Sequence, residues 1–181
     1  MGNVCVSAQQ KEDQVQQVQQ QFKHDVASGR QVDLDSYLRQ FMKIQKYESC
    51  VLFSAKNAYA YWFPHRARDI LTVTSKSGEP FICVHIEGFK YSSENWSTHK
   101  ANFKRSCQAI ITLYHHQNMT LQNKAQNIAE QIDEWGPWTK VLILKNQQGY
   151  RFSSCMSHTM TLADNDGSSI TYICFVPPTW A

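Results

Sequence analysis

The chain has 181 residues, of which 42% are hydrophobic and 12% aromatic, and its formal net charge is +3. This length predicts one domain, and this content of aliphatic and aromatic residues excludes a chain that is disordered throughout. A charge of +3 is too small to single out a dedicated nucleic-acid-binding protein, and no run of about 18 apolar residues predicts a transmembrane helix.

Residues 1–13 are expected to form a flexible tether that carries lipid. The chain begins MGNVCVSAQQ, with Gly2 behind the initiator methionine and a cysteine at Cys5. The usual myristoylation motif is M-G-x-x-x-[ST], whereas here the serine comes one position late, at Ser7. A single myristoyl chain binds membranes only marginally, so a second anchor is needed. The tether offers no basic patch, which makes Cys5 the natural second anchor.

The first six residues, MGNVCV, resemble the N-termini of plant calcium-dependent protein kinases and of several type III effectors that bacteria inject into plant cells. The resemblance implies myristate on Gly2 and palmitate on Cys5. It concerns the lipidation signal and not the remaining chain, which contains no kinase signature, no phosphate-binding glycine loop and no EF-hand loop.

Two helices are predicted next. The segment 13–29 carries Val15, Val18, Phe22 and Val26 near helical spacing, and Gly29 is a suitable stop. The second helix begins after Asp33, a suitable N-cap. Its apolar face is expected to comprise Leu34, Tyr37, Leu38, Phe41 and Ile44.

The rest of the chain alternates strands with a pair of helices. Short runs rich in β-branched and aromatic residues predict strands at 50–54, 58–63, 70–74 and 81–87. Helices are expected at 96–116 and 120–135, the second capped by Thr120. Four further strands follow, and we expect them to form a meander.

These elements predict an α+β fold, in which an antiparallel sheet carries the two N-terminal helices and the central helix pair. The domain is expected to span residues 14–181. No secretory signal precedes the six scattered cysteines, so we interpret them as reduced thiols.

The candidates for catalysis are cysteines and histidines. Cys83 and His85 stand two apart in a predicted strand, so their side chains share one face. Cys155 and His158 lie close together further along the chain. Either pair could supply a nucleophile and its base. A zinc site built from all four is chemically allowed, but the spacing matches no standard finger. We therefore predict no metal, no cofactor and no firm catalytic residue.

Basic residues near aromatic ones could contact phosphate groups of lipid or nucleic acid. These candidates are Arg66, Arg68, Lys100, Lys104 and Arg105.

The sequence therefore favours a non-catalytic, lipid-anchored protein that binds a protein partner. We expect it on the cytosolic face of a membrane, in particular the plasma membrane. An injected bacterial effector would act there in a host cell, as would a viral accessory or matrix-like protein, and a host regulatory adaptor also fits. Two alternatives stay open. One is a cysteine-dependent hydrolase or transferase acting near membranes, and the other is a nucleic-acid-binding silencing suppressor.

Overall fold

The computed structural model describes residues 7–30, 33–45, 48–64, 67–87, 96–132, 138–146 and 148–177. Four helices lie within these residues: α1 (Ala8–Ser28), α2 (Leu34–Ile44), α3 (Trp96–His115) and α4 (Leu121–Gln131). The strands are β1 (Glu48–Ser54), β2 (Tyr59–Trp62), β3 (Ala67–Thr74), β4 (Pro80–Glu87), β5 (Lys140–Lys145), β6 (Tyr150–Phe152), β7 (Met156–Ala163) and β8 (Ser169–Val176). The predicted α+β class is confirmed.

The strands form two antiparallel sheets, each with four strands. The first sheet has the order β3-β4-β1-β6, and the second has the order β2-β5-β8-β7. The chain passes repeatedly from one sheet to the other, so that β2 pairs with β5 in the second sheet and β6 pairs with β1 in the first. The last four strands therefore do not form the predicted meander, although β7 and β8 do form a hairpin.

Three apolar clusters fix the order of the layers. One cluster joins α1 and α2 to the outer face of the first sheet, and another joins α3 and α4 to the outer face of the second. The third lies between the two sheets and includes Val84 and Phe175. The fold is thus a four-layer sandwich with helices on both outer faces. Because β1 is covered on both faces, all seven of its residues are buried, and its centre at 50–53 is an apolar run.

Local signals at the helix ends act as the sequence indicates. The Asp33 carboxylate accepts hydrogen bonds from the first turn of α2, and Thr120 caps α4 in the same way. Gly29 ends α1 with φ of 73°, a left-handed conformation that favours glycine.

Helix α1 begins earlier than predicted, within the segment 1–13, the expected flexible tether. Ser7 is its N-cap and forms a capping box with Gln10, so residues 8–13 are helical. The prediction missed this start because those residues are polar and exposed, and the helical spacing of apolar residues begins only at Val15. The predicted acylation residues, Gly2 and Cys5, lie outside the described residues.

Candidate functional site

The β4 strand directs Cys83 and His85 to one face, as their spacing predicts. Ile82, Val84 and Ile86 point the other way, into the cluster between the sheets. The face that carries Cys83 and His85 is covered by α1 and α2. Both side chains are therefore buried, with exposed fractions of 0% and 2%.

A third ligand-type side chain comes from the neighbouring strand. In the antiparallel register of β1 and β4, Cys50 lies opposite His85. Its Sγ atom is 3.1 Å from the Sγ of Cys83, and the Sγ of Cys83 is 3.5 Å from Nε2 of His85. Both cysteines are free thiols. We call Cys50, Cys83 and His85 the Cys–His cluster.

The two N-terminal helices hold the imidazole of His85 in place. The Tyr37 hydroxyl lies 3.2 Å from Nε2, and the Gln19 side-chain nitrogen lies 3.0 Å from Nδ1. The Phe41 ring stacks on the imidazole, with 4.4 Å between ring centroids and 12° between planes. Both ring nitrogens therefore have a polar neighbour within hydrogen-bond distance, and one face of the ring is packed against an aromatic side chain.

The surroundings of the two thiols shift their pKa values in opposite directions. Burial by itself raises the pKa of Cys83, but hydrogen bonds with Cys50, His85 and Tyr37, together with the coulombic effect of His85, outweigh burial and lower that pKa to about 6. Burial and the neighbouring Cys83 sulfur raise the pKa of Cys50 well above its usual value. Burial also raises the pKa of Tyr37, so its hydroxyl stays neutral.

A groove of about 660 Å³ reaches the cluster from the start of α1. His85 forms part of its floor, while Glu12 and Glu48 line its walls. Neither Cys50 nor Cys83 lines the groove, and both residues have no exposed surface. A substrate in this groove would meet His85 first, so the geometry does not present Cys83 as an open nucleophile.

The other predicted pair lies in the second sheet. The thiol of Cys155 donates to the Pro177 carbonyl oxygen at 3.1 Å. His158 is half-buried, and burial together with Lys104 lowers its pKa. Within the described ranges, Cys50, Cys83 and His85 form the only group of three ligand-type residues that could hold a metal ion. The four-residue zinc set considered from the sequence is therefore not assembled.

The predicted basic contacts are partly described. Lys100, Lys104 and Arg105 lie on the exposed face of α3, and Arg68 is the second residue of β3. Arg66 lies outside the described residues.

Sequence reasoning missed Cys50, Tyr37 and Gln19. These three residues come from three different elements. Only the register between β1 and β4, and the packing of α1 and α2 on the first sheet, bring them close to His85. No protein-family model, no curated protein and no solved structure matches this chain.

Proposed function

We propose that this protein is a peripheral membrane protein, held at the cytosolic face by acyl chains on Gly2 and Cys5, whose α+β body binds a protein partner. The observation that carries the proposal is the sequence MGNVCV, and the start of α1 indicates where such an anchor would hold the body. Because α1 begins at Ala8, only five residues separate Gly2 from a helix that is packed into the body. An extended segment of that length spans at most about 18 Å. Acyl chains there would hold the start of α1 close to the bilayer.

The start of α1 lies at one identifiable end of the sandwich. Glu12 and Glu48 line the same groove, which brings the start of α1 to the start of β1. At the other end of the helix, Gly29 lies against Lys76 in the turn between β3 and β4. We call the end that holds the start of α1 and the start of β1 the anchor end.

The first half of α3 lies toward the same end. Ser153, just after β6, donates its N–H to the Cys50 carbonyl oxygen in β1, so β7 also begins near the anchor end. Helix α3 runs along β7. At the end of the helix, Nε2 of His115 forms a hydrogen bond with the carbonyl oxygen of Ala163, the last residue of that strand. Lys104 lies near His158, close to the start of β7. The exposed basic residues of α3 are therefore on the anchor side.

This arrangement supports a combined lipid and charge anchor. One myristoyl chain gives marginal binding, and each basic residue near an anionic surface adds about 1 kcal/mol. Helix α1 itself adds no such attraction, because Lys11 is followed by Glu12 and Asp13. The electrostatic attraction to the membrane would come from three basic residues of α3, in addition to the second acyl chain on Cys5. These residues are Lys100, Lys104 and Arg105. Among the described residues, no helix has the length and apolar character needed to cross a membrane.

Support for a protein partner comes from the edge of the first sheet. The β3 strand is eight residues long and lies at the end of the strand order. An edge strand presents unpaired backbone groups to which another chain can add. Its residue Ile70 is 57% exposed. We expect Ile70→Lys to weaken partner binding without changing membrane attachment.

The test is labelling with a clickable myristate in eukaryotic cells, followed by membrane fractionation. Gly2→Ala should abolish the label and release the protein, whereas Cys5→Ser should keep the label and loosen binding. The double variant Lys100→Glu/Lys104→Glu should also loosen binding. Its matched control is Lys56→Glu/Lys76→Glu, which changes the same charge at exposed sites on the far end. An unlabelled, soluble wild type would overturn the proposal.

A cysteine-dependent enzyme is a second candidate because of the 3.5 Å contact between Cys83 and His85. It would require α1 to move aside and expose the sulfur. Its test is an activity-based thiol probe on intact protein, which should label Cys83 and fail to label Cys83→Ser. If nucleic acid is the ligand instead, the Lys100/Lys104 variant would weaken a steeply salt-dependent affinity for RNA.

A further inference from the structure

We propose that the Cys–His cluster is a zinc site, in which Cys50, Cys83 and His85 bind one Zn²⁺ ion. Their donor atoms all lie within 4.8 Å of one another. Thiolate sulfur and imidazole nitrogen are the ligands that zinc prefers. The proposal does not depend on the lipid anchor, because its ligands lie in the body of the fold.

The distances suit a tetrahedral ion. Zinc binds sulfur at about 2.3 Å and imidazole nitrogen at about 2.0–2.1 Å, which separates a sulfur from a nitrogen ligand by about 3.5 Å. The separation between Sγ of Cys83 and Nε2 of His85 is 3.5 Å. Two sulfur ligands of one zinc ion lie about 3.8 Å apart. The observed 3.1 Å between Cys50 and Cys83 must therefore widen by roughly 0.7 Å.

A disulfide is the competing state of the same two thiols. It requires the sulfur atoms to close to about 2.05 Å, a larger movement than the opening that zinc needs. A disulfide would also leave the imidazole without a role. The presence of His85 beside both sulfurs is the feature that favours an ion.

Charge balance favours zinc over copper(I) at this buried position. Both cysteines bind zinc as thiolates, so the two negative charges on Cys50 and Cys83 neutralise Zn²⁺. Copper(I) with the same two thiolates would leave one net negative charge in a site where both sulfurs lack exposed surface. An uncompensated buried charge is costly.

Gln19 and Tyr37 complete the surroundings of the ion. With zinc on Nε2, the Nδ1–H of His85 must donate a hydrogen bond, and Gln19 lies 3.0 Å from Nδ1. The amide group can rotate to offer its oxygen, because its two ends have the same shape. The Tyr37 hydroxyl lies 3.2 Å from Nε2 and 3.9 Å from Sγ of Cys83, beside the fourth coordination position. The carboxylates of Glu12 and Glu48 line the approach.

The first experiment is a Co²⁺ titration of the reduced, metal-free full-length chain. We expect one equivalent to bind, with sulfur-to-cobalt charge transfer in the near ultraviolet and the visible bands of four-coordinate cobalt. Zn²⁺ should abolish both. Cys50→Ser, Cys83→Ser and His85→Asn should each remove the signal. The matched control is Cys107→Ser/Cys174→Ser, which removes an equally buried thiol pair formed between α3 and β8.

A second measurement does not depend on variants that could misfold. Wild-type protein is alkylated with and without Zn²⁺ in mild denaturant, and the modified cysteines are mapped by mass spectrometry. Zinc should protect Cys50 and Cys83 and leave Cys107 and Cys174 unchanged. Equal reaction of all four cysteines with and without zinc would overturn the proposal, as would a disulfide between Cys50 and Cys83. Metal analysis of the purified protein that finds copper in place of zinc would also overturn it.

Gln19 is a positioning residue, and its role can be separated from packing. Loss of such a partner lowers metal affinity by about ten- to a hundredfold. Gln19→Leu should weaken zinc binding by that factor, whereas Gln19→Glu should keep it, since a carboxylate can accept the same hydrogen bond. The control is Gln21→Leu, on the exposed side of α1. Equal affinity of the two Gln19 variants would refute this role.

Discussion

Replacement of Tyr37 by phenylalanine tests the described surroundings of His85 most simply. The change removes one hydroxyl and keeps the ring, which packs on Phe22 with 4.4 Å between centroids. That hydroxyl lies 3.2 Å from Nε2 of His85 and 3.9 Å from Sγ of Cys83. Because a buried hydrogen bond contributes about 0.5–1.5 kcal/mol net, we expect Tyr37→Phe to lower the free energy of unfolding by about 1 kcal/mol.

The magnitude stays small because Nε2 keeps a neighbour. The Cys83 sulfur remains 3.5 Å away, so the nitrogen is not left without a partner. In contrast, Tyr37→Ala also removes a ring that is 5% exposed, and such truncations cost about 3–5 kcal/mol. In a chain of this length, a loss of about 1 kcal/mol lowers the melting temperature by about 2–4 °C.

The assay is urea denaturation followed by circular dichroism, with chelator and reductant present so that bound metal does not contribute. Tyr59→Phe serves as the control, because Tyr59 is 38% exposed and its hydroxyl should matter little. Unchanged stability of Tyr37→Phe would refute the buried hydrogen bond. A loss as large as that of Tyr37→Ala would refute the assumption that the ring keeps its packing.

Three further predictions concern the rest of the fold. Gly29→Ala should cost about 1–2 kcal/mol in chemical denaturation, because an alanine at φ of 73° is strained and its Cβ would lie 3.0 Å from the Lys76 side chain. Thr120→Ala should cost about 1 kcal/mol and Thr120→Ser much less, since serine keeps the cap of α4. Lys145 and Ser168 lower the pKa of Asp166, so its contribution to stability is present at neutral pH and is lost as the pH falls into the acid range. Asp166→Asn should therefore flatten the acid side of the melting-temperature profile, and an unchanged profile would contradict this.

Local structure could be predicted from the sequence because its causes are local. The Asp33 cap, the Thr120 cap and the Gly29 stop each depend on a few adjacent residues. The shared face of Cys83 and His85 follows from the two-residue period of a strand. These predictions required no knowledge of how the elements pack.

The division into two sheets could not be predicted in this way. Strands β2 and β6 each leave the sheet of their sequence neighbours, and continuous apolar runs do not say which partner a strand takes. The role of Cys50 in the Cys–His cluster could not be predicted for the same reason, since its contact with Cys83 depends on the pairing of β1 with β4. The closeness of Cys155 to His158 in sequence was misleading, because neither lies near Cys83 in the fold.

Mass spectrometry of the N-terminal peptide tests the central claim most directly. The protein is expressed in eukaryotic cells, recovered from the membrane fraction and digested, and the peptide that contains Gly2 and Cys5 is analysed before and after hydroxylamine treatment. The account predicts loss of Met1, a hydroxylamine-resistant myristoyl group on Gly2 and a hydroxylamine-sensitive acyl group on Cys5. An unmodified peptide, whether the protein is found in the membrane or the soluble fraction, would contradict it.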